Sequence, residues 1–426
     1  MRGIPGRTDV VQVIAGVFAL ACLATAIVLI VERVFEPAHV KAPSVEPDIL
    51  VRLARGADVL DLAGPAQVMV GPLGGPGMAV TTPASIMLDE TGWYLELSGL
   101  AGAPIAMPDV TIEARAIEGS RIVLTPDLRV TPTIRLSPRS DLGPTRFDAI
   151  GSLALEQYVA GVVGAETYAG WGDEALKAQA VAARSYAICE RTSARARRRS
   201  YDIDIGQAAQ ALELEPRQDA SLAADATRGV VLTSQGHVLR AYYSSTCGGR
   251  PASAADNWEG PENEDPPIQA HAREAECRSS PLFRWTVDRP TATLSARLAA
   301  WGREHRHSIA DLGVITAIDD IERNDADRPA RYEVKDNRGR SFRIAAETLR
   351  LACNHPLSDE RPEARVRSND MEFTVSGPRV TIEGRGFGHG VGMCQFGAAE
   401  LAERGELWPA ILSIFYPGAQ LQRAYE

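Results

Sequence analysis

The chain has 426 residues, enough for one large core or for about two to three domains. It is 45% hydrophobic and 23% charged, which is ordinary for a globular protein, and its formal net charge is −10. This acidic balance gives no electrostatic reason to expect nucleic acid as a partner, and it argues against a surface that adheres to anionic lipid.

An uncharged apolar run lies near the start of the chain. Residues 10–31 read VVQVIAGVFALACLATAIVLIV, and a helix needs about 20 apolar residues to cross a bilayer. Arg2 and Arg7 precede the run and favour a cytoplasmic N-terminus. The ALA before Cys22 faintly resembles a lipoprotein site, but the apolar run continues beyond it, which favours an uncleaved anchor.

The anchor prediction also sets the compartment. We expect residues 1–35 to form a cytoplasmic tip and a single-pass membrane anchor, with the C-terminal region outside the cytoplasm, facing the periplasm or the cell wall. That compartment tolerates disulfides. In a bacterium, its dominant polymer is peptidoglycan.

Three segments follow the anchor. Residues 36–48 are rich in proline and polar residues and are typical of a linker. Residues 49–148 hold short β-type runs between Gly and Pro clusters, which predicts a strand-rich lobe. Residues 149–426 mix helical and strand patterns, with a loop-rich insertion near 251–280. The sequence therefore predicts an α+β fold.

One carboxylate shares a helix face with apolar side chains. Residues 155–166 read LEQYVAGVVGAE, and their spacing puts Glu166 in line with the apolar positions. Such a face packs inward, and a carboxylate on it loses hydration, which raises its pKa. A carboxylic acid that stays protonated near neutral pH can protonate a leaving oxygen, as glycosidic bond cleavage requires. By spacing alone, a capping or ion-pairing role at the helix end is the commoner use.

No second carboxylate stands out as a partner for Glu166. Ordinary glycoside hydrolases use two, but Asp173 and Glu174 are typical of a helix start. A single acid suffices where the sugar supplies its own nucleophile. In peptidoglycan, the O6 hydroxyl of muramic acid can attack C1, while one glutamate acts first as acid and then as base. That reaction is lytic transglycosylation, and it yields a 1,6-anhydro sugar.

Four sequence blocks follow one another in the second part of the chain. They are LEQYVAGVVGAE with Trp171 and EALKAQAVAARSYA, then RGVVLTSQGHVLRAYYSSTCGGR, GRGFGHGVGMCQFGAAELAERG and ILSIFYPGAQL, which together span residues 155–421. These ordered blocks strongly resemble the stage II sporulation protein D and amidase-enhancer family. The resemblance implies cell-wall remodelling, because the sporulation members are lytic transglycosylases that act on peptide-stripped glycan strands. The family's other named role is to enhance a partner amidase. Its catalytic glutamate falls on Glu166.

The chain departs from the family at two points. Thr167 and Tyr168 follow Glu166, where the family usually has a Met-Pro type sequence. Some sporulation members carry a His/Cys zinc cluster after the long helix, but the matching segment SYDIDIGQAAQAL contains neither Cys nor His. That zinc site is therefore not carried over, and no cofactor is expected.

Polar residues of the matching blocks are candidates for holding the glycan, with surface solvation or packing as the alternative for each. Arginine suits the lactyl carboxylate of muramic acid because its guanidinium is a planar fork of donors. Alternating glycines in GRGFGHGVG strip one face of side chains, so a ligand or a backbone can approach. The candidate set is Lys177, Gln179, Arg184, Tyr186, Tyr243, Ser244, Ser245, His389 and Gln395.

The cysteines leave three interpretations open. No CxxC pair is present, so a standard zinc ribbon or thioredoxin-type site is excluded. A disulfide between Cys247 and Cys277 is the first candidate. The alternatives are a metal site that joins these two with Cys394 and His389, and buried thiols without a bond.

We therefore expect a membrane-anchored lytic transglycosylase that cleaves peptidoglycan glycan strands, with Glu166 as general acid and base. The first alternative is a non-catalytic module that binds glycan and recruits or activates a cell-wall amidase. The second is a structural envelope protein that uses the same fold only as a scaffold.

Overall fold

The computed structural model describes residues 45–63, 67–97, 102–117, 122–124, 133–206, 210–271, 276–357 and 365–426. The predicted anchor at 10–31 and most of the predicted linker at 36–48 lie outside these residues. Among the helices that the structure describes, none is both long enough and apolar enough to cross a bilayer.

The N-terminal lobe is built of strands, as its alternating sequence predicts. They are β1 (Asp48–Ala57), β2 (Val59–Ala63), β3 (Gln67–Pro72), β4 (Met78–Thr81), β5 (Ala84–Leu88), β6 (Trp93–Leu97), β7 (Ala103–Ala106), β8 (Ile112–Ala116), β9 (Val123–Leu124), β10 (Thr133–Pro138) and β11 (Phe147–Ala154). On β3, Val68 and Val70 are fully buried on one face, as the two-residue period of a strand requires. The lobe therefore has a continuous apolar interior.

Three helices and a short strand follow the lobe: α1 (Leu155–Glu166), α2 (Asp173–Ala196), β12 (Ile203–Asp204) and α3 (Gln218–Ala226). The strands described so far form a seven-stranded sheet in the order β12–β1–β11–β10–β8–β3–β4 and a five-stranded sheet in the order β7–β6–β5–β2–β9. Strand β11 runs directly into α1, so the sheet fixes where the helix begins.

Helix α1 buries the face that its sequence predicts. The side chains that have no exposed surface there are Leu155, Tyr158, Val159, Val162 and Val163. At the start of α2, Gly172 is the N-cap. Asp173 lies in the first turn, where a carboxylate still suits the positive end of the helix dipole.

The rest of the chain mixes helices and short strands, which completes the α+β fold. The elements are β13 (Val230–Ser234), β14 (His237–Val238), β15 (Tyr243–Ser244), α4 (Ala254–Asn257), β16 (Trp285–Pro290), α5 (Thr291–Glu304), β17 (Ile315–Arg323), β18 (Pro329–Asp336), β19 (Ser341–Ala345), α6 (Ala346–Cys353), β20 (Met371–Ser376), β21 (Arg379–Gly384), β22 (Met393–Cys394), α7 (Gln395–Glu403), α8 (Trp408–Phe415) and β23 (Gln420–Arg423). Short 3₁₀ turns lie at Pro261–Asn263, Pro266–Ile268 and Ser308–Asp311.

Two sheets and two helices in the 285–384 region enclose a core of their own. The sheets have the orders β16–β21–β20 and β17–β18–β19. Leu294 and Leu298 of α5 and Leu349 of α6 are fully buried in this core. The region is therefore packed around an apolar centre that is separate from the one under α1.

A two-stranded parallel pairing brings distant blocks together at the site. Strand β15 pairs with β22, with Tyr243 opposite Met393 and Ser244 opposite Cys394. Helix α7 begins at the next residue, Gln395, and packs against α2. The C-terminal glycine-rich block is thereby placed beside the end of α1.

Candidate active site

Glu166 is the last residue of α1 and is half-buried. Its Oε1 atom accepts a hydrogen bond of 2.7 Å from the backbone N–H of Ala211. Burial raises the pKa of the Glu166 carboxyl by more than the hydrogen bonds from Ala211 and Gln395 lower it. In the part of the chain that the structure describes, no basic side chain forms an ion pair with it. The surroundings of this carboxyl therefore favour its protonated form more than solvent would.

The turn after Glu166 is held by Thr167 and Arg217. Thr167 Oγ1 donates to the carbonyl of Val163 at 2.6 Å and accepts from Arg217 Nη2 at 3.1 Å. Arg217 Nη1 also donates to the carbonyl of Gly164 at 2.5 Å. These carbonyls in the last turn of the helix are thus satisfied. The departure from the family sequence at 167 is accommodated by this local network.

Two glutamines lie behind Glu166. The Nε2 atom of Gln395 donates to the Glu166 backbone carbonyl at 3.2 Å and to Gln179 Oε1 at 3.3 Å. Gln179 is only 1% exposed, and its own Nε2 has no hydrogen-bond partner in the described structure. The structure thus brings Glu166, Gln179 and Gln395 together, and it places the two glutamines as supports behind the helix end.

A second polar chain approaches Glu166 from the segment after α2. Tyr158 Oη donates to Gln210 Oε1 at 2.7 Å, and Gln210 Nε2 donates to Tyr243 Oη at 2.8 Å. These bonds fix Gln210, and so they also fix Ala211, whose N–H contacts Glu166. The sequence interpretation missed Gln210 and Ala211, because it considered their segment only for zinc ligands and a backbone donor carries no side-chain signal.

Three aromatic rings pack together immediately after Glu166. Tyr168 and Trp171 have ring centroids 5.4 Å apart, and Phe396 lies 5.8 Å from Tyr168 and 5.3 Å from Trp171. We name these three residues the aromatic cluster. Tyr168 is 60% exposed, so an aromatic ring two residues after Glu166 is open to solvent. Phe396 follows Gln395 in α7 and was also missed by the sequence interpretation.

Arg184 is not available to a sugar, which corrects the sequence prediction. Its side chain is fully buried, and Nε and Nη2 donate to the carboxylate of Glu156 at 2.9 Å and 2.6 Å. Further bonds reach the carbonyls of Val230 and Ala224. Burial disfavours the charged form of Glu156, but the hydrogen bonds and charge of Arg184 outweigh it and hold the pKa of Glu156 below its usual value. The pair is part of the core.

The other predicted binding residues have mostly structural contacts. Lys177 donates to Glu174 at 2.6 Å within α2. Tyr186 packs edge to face on Tyr242, with ring centroids 5.7 Å apart. Ser244 is buried in β15, and the carbonyl of Ser245 accepts from the N–H of Phe396 at 3.0 Å. These residues shape the strand and the helix beside the site.

His389 is packed among aromatic rings and hydrogen-bonds to the backbone of Tyr243. Its ring packs on Trp258 and Tyr242, with centroids 5.1 Å and 5.8 Å away, and its Nδ1 accepts from the N–H of Val391 at 3.1 Å. Burial lowers the pKa of His389 to about 4, so the ring is neutral at physiological pH. These contacts are typical of a histidine whose role is to pack in the protein interior.

The alternating glycines of GRGFGHGVG allow another segment of backbone to pack closely against them. A Cβ on Gly392, whose φ is +69°, would lie 2.0 Å from the carbonyl oxygen of Tyr242. A Cβ on Gly386, with φ +81°, would lie 2.3 Å from the carbonyl oxygen of Thr246. The predicted close approach is therefore present, and the partner is the 242–248 segment of the same chain.

The predicted cysteine pair is adjacent but not bonded in the structure. The Sγ atoms of Cys247 and Cys277 lie 3.8 Å apart, whereas a disulfide bond is about 2.05 Å long. Cys394 lies beside both, and its Sγ accepts from the N–H of Cys247 at 3.3 Å. His389 is not part of this group.

Comparison with known families matches two parts of the chain. Residues 144–234, which include α1, α2 and Glu166, match the family described as "Stage II sporulation protein". Residues 266–392 match a family described as "Domain of unknown function (DUF8618)". The segment that carries Glu166 is thus similar to the stage II sporulation protein family.

Curated relatives agree with this match. The chain is 28% identical over 289 residues to "Amidase enhancer" of Bacillus subtilis (strain 168), covering 61% of this chain and 40% of the relative. It is 26% identical over 324 residues to "Stage II sporulation protein D" of the same strain, covering 72% and 86%. The protein of that name from Bacillus amyloliquefaciens is 27% identical over 313 residues, covering 69% and 81%. The match over residues 144–234 and these relatives support the similarity of the chain to the stage II sporulation protein D and amidase-enhancer family.

Proposed function

We propose that this protein is a lytic transglycosylase that cleaves peptidoglycan glycan strands, with Glu166 as the general acid and base. We further propose that residues 10–31 anchor it in the cytoplasmic membrane, with the site on the outer side. The observation that carries the proposal is the half-buried Glu166 carboxyl, whose pKa burial raises and which has no ion-pair partner among the described residues.

The reaction needs one group that first gives and then takes a proton. The Glu166 carboxylic acid donates its proton to the glycosidic oxygen as the bond from that oxygen to C1 breaks. The muramic-acid O6 hydroxyl attacks C1, and its proton passes to the Glu166 carboxylate. The products are a 1,6-anhydro-muramic end and a free hydroxyl on the leaving sugar. Water is not consumed, and Glu166 is protonated again.

The surroundings of Glu166 support this use. The Ala211 N–H can keep its hydrogen bond to the Glu166 carboxyl during the reaction, because it can donate to a neutral or a charged oxygen. The aromatic cluster offers the exposed ring of Tyr168 to the apolar face of a sugar. An acid that is followed two residues later by an exposed aromatic ring suits a carbohydrate polymer better than a small anion.

The direct test is to incubate the full chain with purified glycan strands from which the stem peptides have been removed. Mass spectrometry should find new 1,6-anhydro-muramic ends, and the Glu166→Gln variant should form none. A parallel incubation with intact peptidoglycan shows whether peptides must be removed first. Products with reducing muramic ends, or no cleavage by the wild-type chain on either substrate, would contradict the proposal.

A second candidate function is enhancement of a cell-wall amidase without catalysis. It is favoured by the match to the relative named "Amidase enhancer", which the chain covers over 40% of its length. This candidate predicts binding to glycan or to an amidase, stimulation of peptide release, and full activity of Glu166→Gln in that assay. The two functions therefore make opposite predictions for one variant.

A further inference from the structure

Three cysteines from distant parts of the chain meet at one point. Cys247 follows β15, Cys277 lies in the loop before β16, and Cys394 ends β22. They are 3%, 0% and 2% exposed, so all three side chains are shielded from solvent. Their Sγ atoms all lie within 4.8 Å of one another. We name these residues the cysteine cluster.

The spacing fits a shared ion. Zinc–thiolate bonds are about 2.3 Å long, so two thiolates on a tetrahedral ion lie about 3.8 Å apart. The Cys247 and Cys277 Sγ atoms are separated by 3.8 Å. The third sulfur needs only a small movement to complete a three-sulfur face around one ion.

The chemistry of the cluster selects the kind of ion. Thiolates prefer soft cations such as zinc(II) and copper(I), whereas calcium and magnesium prefer oxygen ligands. We propose that Cys247, Cys277 and Cys394 bind one such thiophilic metal ion. Among the described residues, no histidine or carboxylate joins the cluster, so a fourth position on a tetrahedral ion is left for a small external ligand.

Two contacts around the cluster suit bound thiolates. The N–H of Cys247 points at Cys394 Sγ from 3.3 Å, and such a donor stabilises a metal-bound sulfur. The buried guanidinium of Arg328 donates to the carbonyl of Cys247 at 3.0 Å. Three thiolates and a divalent ion carry one net negative charge, and Arg328 places a positive charge beside the same loop.

The cluster is one residue away from the proposed active site. Cys394 immediately precedes Gln395, which donates to the Glu166 carbonyl, and Phe396, which belongs to the aromatic cluster. Cys277 lies in the region that matches the domain of unknown function. A bound ion would therefore tie that region to the strand that leads into α7. Metal binding does not depend on the proposed reaction and can be measured without it.

The test uses the full chain in detergent, purified with a reductant, stripped with a chelator and then exposed to zinc(II) or copper(I). Elemental analysis should find about one ion per chain, and excess magnesium should not displace it. Cys247→Ser, Cys277→Ser and Cys394→Ser should each weaken binding at least tenfold. Cys353→Ser is the matched control, because Cys353 is also fully buried but lies outside the cluster.

Two measurements on the wild-type chain keep the test decisive if a serine variant fails to fold. Zinc(II) should raise the melting temperature, and cobalt(II) should give the intense thiolate charge-transfer absorption of a sulfur-bound ion. Absence of both signals, together with no copper(I) retained by the reduced wild-type chain, overturns the proposal. So does a native disulfide between Cys247 and Cys277 in protein isolated without reductant, found by peptide mass mapping.

Discussion

The side-chain amide of Gln395 donates a hydrogen bond to the backbone carbonyl of Glu166 at 3.2 Å, across 229 residues of sequence. This contact joins the end of α1 to the start of α7. The carbonyl at a helix end has no partner within the helix, so the amide of Gln395 supplies the partner. The position of the proposed acid is therefore set by two helices, α1 and α7, that are far apart in the sequence.

Replacing Glu166 by glutamine should abolish glycan cleavage and preserve the fold. General acid–base catalysis contributes about 10²–10⁴-fold to a rate, so we expect a loss of at least that size in anhydro-muramic product formation. The amide oxygen of the introduced glutamine can still accept from the Ala211 N–H. A carboxyl with a raised pKa opposes folding once pH exceeds its unfolded pKa, so the variant should be at least as stable as wild type at neutral pH in urea unfolding.

The control for this variant is Glu174→Gln, which removes an acidic group that pairs with Lys177 at the start of α2. It should keep full cleavage activity. Equal losses in both variants would show that the effect is not specific to Glu166.

The pH profile should have an alkaline limb that belongs to Glu166. Its proton is needed for the first step and its pKa is raised by burial, so the cleavage rate should fall as pH rises through that pKa. The Gln395 hydrogen bond lowers the same pKa. Gln395→Leu should therefore move the limb to higher pH, which is measured by the rate on glycan from acid to mildly alkaline pH. A limb that stays in place would indicate that another group controls it.

Arg184 should matter for stability and not for substrate affinity. Breaking a buried ion pair from one side costs about 3–5 kcal/mol, so Arg184→Met should lower the free energy of unfolding by that amount. The double variant with Glu156→Leu should recover part of the loss. The surface variant Lys177→Met should change stability by only about 0–1 kcal/mol. A large rise in KM with unchanged stability would instead support direct sugar binding by Arg184.

The same pair predicts a loss of stability in acid. The pKa of Glu156 is below its usual value in the folded protein, so its contribution is complete above the unfolded pKa of about 4.3. The contribution is lost as pH falls from there through the folded pKa. Urea unfolding at pH 7 and in mild acid should show a smaller pH effect in the Arg184→Met, Glu156→Leu double variant than in wild type.

Tyr168 should contribute to glycan affinity. Removing its exposed ring in Tyr168→Ala takes away part of the aromatic cluster while leaving the hydrogen bonds of Glu166 in place. We expect a several-fold rise in KM on glycan strands, a smaller change in kcat and little change in melting temperature. Leu222→Ala is the control, because Leu222 is similarly exposed but lies on α3. Identical KM values for the two variants would exclude a contact between Tyr168 and the glycan.

The sequence determined the α+β class, the buried face of α1 and the candidate acid, because local periodicity sets which side of a helix packs inward and the family blocks mark the residue. It could not show that Arg184 is paired with Glu156, since a buried ion pair and a sugar-binding arginine look alike in sequence. Only the tertiary structure decided which groups surround Glu166. The Ala211 N–H and the Gln395 amide reach it, and the ring of Phe396 reaches Trp171, through contacts between distant segments, and no local spacing encodes such contacts.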